Sequence, residues 1–67
     1  MWRWVTIKVN EQVGQILVNM NHVVKIYPLN KDKNGYQSMI DLVDGKYIMS
    51  LDKIEEFLNR PAEYFRA

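Results

Sequence analysis

The chain has 67 residues, 48% of them hydrophobic, with no cysteine, one histidine and a net charge of +1 from nine basic and eight acidic side chains. This excludes a second domain of ordinary size, a disulfide scaffold and a zinc site built from Cys and His clusters, and it gives no field of the strength that nucleic acid or an anionic membrane selects. So small a chain buries only about 60% of the surface it exposes when unfolded, which leaves self-association or docking to a partner as the expected supplement to its core.

Residues 2–10 alternate strictly and predict a strand. Arg3, Val5, Ile7 and Val9 fall on one face, read as the core face, and Trp2, Trp4, Thr6, Lys8 and Asn10 on the other. The same alternation argues against a signal h-region or a membrane span, so a cytoplasmic location is expected, that of the host cell if a phage encodes the chain. Glu11 to Gln15, with Gly14, is read as the turn into a second strand, Ile16-Leu17-Val18. Asn19-Met20-Asn21-His22 then interrupts, because asparagine side chains bond their own backbone, before Val23 to Tyr27 resumes as a third strand.

Pro28 and the polar run Leu29 to Gly35 end that strand in an exposed loop. A fourth strand, Tyr36 to Val43, meets Asp44-Gly45, which predicts a two-residue type I′ hairpin into Lys46 to Met49. The implied pairs are Val43 with Lys46, Leu42 with Tyr47, Asp41 with Ile48 and Ile40 with Met49, so Ile40, Leu42, Tyr47 and Met49 would share a face. Ser50 reads as the N-cap of a helix at about 51–59, with Leu51, Ile54, Phe57 and Leu58 on its apolar side and Asp52 in its first turn. Pro61 stops it and leaves a short tail in which Tyr64 and Phe65 are expected to dock. The expected fold is α+β and β-rich: one domain over 1–67, a five-stranded antiparallel meander in the order β-β-β-β-β-α with one C-terminal helix and an aromatic tail.

No set of residues suits catalysis, and no enzyme activity, metal or cofactor is expected. His22 follows asparagines at a turn, Ser50 is accounted for as a cap, Glu55 and Glu56 diverge by ~100° on a helix, and the glycines at 14, 35 and 45 stand too far apart to cradle a phosphate. Trp2-Arg3-Trp4 is different, because two tryptophans opposite the core face need cover. Either they pack on another subunit or under the Tyr64-Phe65 tail, or they form an aromatic platform on which a nucleotide ring stacks while Lys8 holds its phosphate. A second candidate surface is the loop carrying Lys31 and Lys33, joined by Lys25 and Lys46, which either solubilises the chain or contacts phosphate.

The run from Ile16 to Ile26, followed by Met39 to Ser50 and a short helix, resembles the small flagellar FlbD-like proteins, whose relatives are common in bacteria and their phages. That resemblance implies a regulatory binding role and transfers no catalytic site. Residues 16–58 also resemble the C-terminal half of the LytTR DNA-binding domain at Val18, Asn19, Val24, Ile26, Ile40, Leu42, Gly45 and Ser50. The N-terminal half of that domain, with its basic segments, has no counterpart in this sequence, so DNA contacts do not carry over to particular residues.

The sequence therefore points to a non-enzymatic, self-associating binding protein, regulatory or inhibitory through protein contacts, with Trp2, Trp4, Tyr64 and Phe65 at the interface. An oligomer that sequesters a nucleotide-type signal, held by Trp2, Arg3, Trp4 and Lys8, is the first alternative. A minimal DNA-binding module using Lys31, Lys33 and Lys46 is the second, and the near-neutral charge disfavours it.

Overall fold

The alternation of residues 2–10 and the β-branched runs that follow produce five strands and a short helix in the computed structural model, which describes residues 1–58. Strand β1 (Trp2–Val9) pairs antiparallel with β2 (Gln12–Asn19), and β3 (Val23–Pro28), β4 (Ser38–Leu42) and β5 (Tyr47–Ser50) form a second antiparallel sheet in that order. Helix α1 (Ile54–Leu58) follows. The strand count matches expectation, but the strands divide into sheets of two and three rather than one continuous meander. The break falls at a single 3₁₀ turn, Met20–His22, where the Asn19 side chain accepts the Asn21 N–H at 3.0 Å. The expectations for the Leu58 side chain and for residues 59–67, including Tyr64 and Phe65, lie outside the described residues.

Three local expectations are corrected. The first turn is not Glu11 to Gln15 but Asn10-Glu11, whose φ values of 51° and 67° give the left-handed pair that a two-residue hairpin requires. Gly14 therefore lies within β2, opposite Ile7, and β2 starts four residues earlier than expected. The second hairpin has a three-residue loop, Val43-Asp44-Gly45: the Gly45 N–H reaches Leu42 C=O at 3.0 Å, the Leu42 N–H reaches Lys46 C=O at 2.9 Å, and only Gly45 has positive φ. A type I turn closed by a left-handed glycine replaces the type I′ turn and shifts the register by one. Ile40 pairs with Ile48 and Met39 with Met49, so Ile48 turns to the core while Tyr47 and Met49 turn away.

The third correction concerns Ser50, which ends β5 instead of capping the helix. It is completely buried, as is Ser38, its partner across the β4–β5 ladder. The Ser50 hydroxyl donates to Thr6 C=O at 3.1 Å and accepts the Asp52 N–H at 2.9 Å, while the Ser38 hydroxyl donates to Asp52 C=O at 2.9 Å. Asp52, expected in the first turn of the helix, instead precedes it and takes the Thr6 N–H on its carboxylate at 3.0 Å, and the Leu51 N–H reaches Thr6 C=O at 2.9 Å. Thr6 is thus where the edge of β1 is bonded to the second sheet, and every buried hydroxyl there has a partner. The core below it is Val5, Val18, Ile40 and Phe57, with Ile7, Ile16, Met20, Val23, Ile26, Leu42 and Ile48 packed around it.

Candidate functional site

The outer face of the β1–β2 hairpin follows from its register. Trp2 stands opposite Asn19, Trp4 opposite Leu17, Thr6 opposite Gln15 and Lys8 opposite Val13, and opposed residues share a face. Trp2, Trp4, Val13 and Leu17 are 60%, 57%, 67% and 48% exposed. Trp2, Trp4 and Leu17 adjoin one another as an exposed apolar patch, and the Thr6/Gln15 pair separates them from Val13; large exposed patches of this kind are uncommon on surfaces that face water alone. Both tryptophans lie opposite the core face, as the alternation requires, whereas Val9, expected in the core, is 57% exposed and lines an open groove with Ile7, Gly14 and Ile16.

Arg3 lies between the tryptophans but on the inner face, and so does not belong to their platform. Its guanidinium sits 4.4 Å from the Phe57 ring centroid, donates to Glu56 C=O at 3.0 Å and to Trp4 C=O at 3.3 Å, and ties α1 to β1. A cation over an aromatic face, bonded to the carbonyl of the adjoining helical residue, is a structural clamp.

Lys8 belongs to a different neighbourhood from Trp2 and Trp4. It lines a cleft of about 540 Å³ together with Asn10, Glu11, Lys33, Asn34 and Tyr36, between the first hairpin turn and the loop after β3. The Lys8 ammonium donates to Asn34 C=O at 3.1 Å and stands 5.8 Å from the Tyr36 ring centroid. Asp32 shapes the loop by accepting the Asn34 and Tyr36 N–H groups at 3.0 and 3.2 Å, an Asx-type arrangement that presents Lys33 at its turn. The polar, two-lysine wall beside an aromatic ring is able to hold a phosphate-bearing ring compound.

Lys46 and Lys25 do not join the loop lysines. Lys31 and Lys33 belong to the loop at the Pro28/Ser38 end of the second sheet, and Lys46 to the turn at the Leu42 end, with the five residues of β4 between them at ~3.3 Å each. Lys25 pairs instead with Asp41 across the β3–β4 ladder at 3.7 Å. His22 is exposed, and its C=O accepts the Val43 N–H at 2.9 Å. Asn34 belongs to the candidate lysine loop, whereas Tyr36 and the partnership of Thr6, Ser38, Ser50 and Asp52 are not among the residues the sequence marks as sites. Its place as an aromatic residue directly after the lysine loop is the available signal for Tyr36.

Among the described residues no helix is long and apolar enough to cross a membrane. Comparison with family models, with curated proteins and with solved structures finds no match to the chain.

Proposed function

We propose that this chain is a non-enzymatic, self-associating binding protein of the cytoplasm, regulatory or inhibitory through protein contacts, whose contact surface is the outer face of the β1–β2 hairpin. The observation that carries this is the exposure of Trp2, Trp4 and Leu17 side by side on one face, with Val13 exposed farther along it. Large aromatic side chains bring much contact area at little conformational cost, and they dominate the energetics of protein interfaces. The resemblance to FlbD-like proteins of bacteria and phages supports the same role. Light scattering tests it: the chain should exceed its monomer mass of 8.0 kDa at micromolar concentration. Leu17→Lys, at the centre of the face, should return it to a monomer, and a wild-type chain that stays monomeric contradicts the proposal.

A second function is supported by the Lys8–Lys33–Tyr36 cleft, which suits a nucleotide-type ligand with its phosphate on the lysines and its ring against Tyr36. Calorimetric titration with mono-, di- and cyclic nucleotides tests it. Charge-assisted contacts of this kind are worth ~1.5–3 kcal/mol, so Lys33→Ala should weaken binding at least ~tenfold. Absence of heat with every nucleotide contradicts this second function and leaves the protein-contact surface.

A further inference from the structure

We propose that two copies of this chain join along the free edge of β2, with Val13–Leu17 of each paired antiparallel about a two-fold axis through Gln15. This rests on the self-association proposed above and adds to the outer face of the hairpin its backbone edge, as the seam between two copies.

Strand β2 pairs with β1 on one side and, among the described residues, with nothing on the other. Backbone direction alternates along an antiparallel pair, and the two-residue turn makes Val9/Gln12 a pair that exchanges both hydrogen bonds. Residues 12, 14, 16 and 18 thus aim their N–H and C=O groups at β1. Two contacts agree with this parity: the Met20 N–H reaches Met1 C=O at 2.8 Å, continuing the series, and Thr6, of the opposite parity, turns its N–H and C=O to the far edge of β1. Val13, Gln15 and Leu17 therefore point their backbone groups outward along the free edge of β2.

Natural sheets protect such an edge with lysine, proline, inward charges or a bulge. Gln12 to Asn19 carries none of these: the segment has no charged residue and no proline, and its pairing with β1 is regular throughout. A second copy fits it because the strand is self-complementary. With Gln15 opposite Gln15 of the copy, Val13 faces Leu17 and Gly14 faces Ile16, so apolar residues oppose apolar residues and no like charges meet at the axis. Outward-pointing residues also oppose outward-pointing residues, as a hydrogen-bonded ladder needs.

The four strands then form one sheet. Across its outer face each Trp4 continues through Leu17 into Val13 and Lys8 of the copy, so two such rows flank a central row of Thr6 and Gln15 from both copies. On the inner face, Gly14 has open space where a Cβ would stand and lines a groove of about 470 Å³ with Ile7, Val9 and Ile16. A glycine inside a strand weakens it unless something approaches closely, and Ile16 of the copy is the neighbour this register supplies. Antiparallel pairing also sets the uncovered tip of each hairpin beside the covered base of the other.

The chain has no cysteine, so one introduced thiol reports one position. Residues facing each other in a hydrogen-bonded pair have Cα atoms ~5.5 Å apart, within disulfide reach. Full-length Gln15→Cys should form a covalent dimer on mild oxidation, Val13→Cys and Leu17→Cys should cross-link only when mixed, and Gln15→Pro should be monomeric by light scattering with an unchanged circular dichroism spectrum. A dimeric wild type in which Gln15→Cys does not cross-link overturns the edge pairing while leaving self-association standing. Equal cross-linking of Val13→Cys alone overturns the register. A monomeric wild type overturns both the pairing and the self-association on which it rests.

Discussion

The two faces of β1 are built from the same eight residues and have opposite fates. Inward, Val5 is fully buried and Arg3 clamps α1; outward, Trp2 and Trp4 keep more than half of their surface in solvent, while the Thr6 backbone, at the strand edge between the faces, is bonded to Ser50, Leu51 and Asp52. The period of two in a strand places holding and recognition one residue apart without letting them interfere. The second sheet divides less sharply: its outer face carries the Lys25–Asp41 pair with Tyr27 and Tyr47, a mixed surface that water tolerates.

Substitutions on the two sides of this division should differ by kilocalories. The largest effect is expected from Ile40→Ala at the centre of the core, about 3–4 kcal/mol in urea unfolding, which in a chain of this size leaves little or no folded protein. Ser50→Ala comes next. It strands the Asp52 N–H and one bond to Thr6 C=O in a buried place, and about 1–3 kcal/mol should be lost. Arg3→Lys keeps the charge but loses the planar stacking on Phe57 and the fork of donors, so a loss of about 1 kcal/mol is expected, with faster hydrogen exchange in α1. Trp4→Ala, one residue away, should move unfolding by no more than about 0.5 kcal/mol while weakening association. If Trp4→Ala destabilises the monomer as much as Ser50→Ala does, the division between the faces is wrong.

The strands of the fold were legible because alternation is a local signal: the two faces of β1 can be read from Val5, Ile7, Trp2 and Trp4 alone. The turns were less so. Gly14 drew the first turn away from Asn10-Glu11 because a glutamate at positive φ has no sequence signature, and Asp44-Gly45 suggested a two-residue loop where Val43 joins it to make three. That one residue exchanged the faces of Tyr47, Ile48 and Met49. Ser50 was misread for a different reason: its preference for helix caps is local, whereas its partners Thr6 and Asp52 include a residue 44 positions away. Lys8 likewise was grouped with its neighbours along β1, although the loop after β3 brings Asn34 and Tyr36 to it. Contacts between distant segments decide such sites, and no spacing rule announces them.

The central claim is that the open outer face and edge of the β1–β2 hairpin make this a self-associating protein. Sedimentation velocity of the full-length chain across the micromolar range tests it most directly. A concentration-dependent shift from monomer to dimer that Leu17→Lys abolishes is predicted. A single species of 8.0 kDa at every concentration contradicts it.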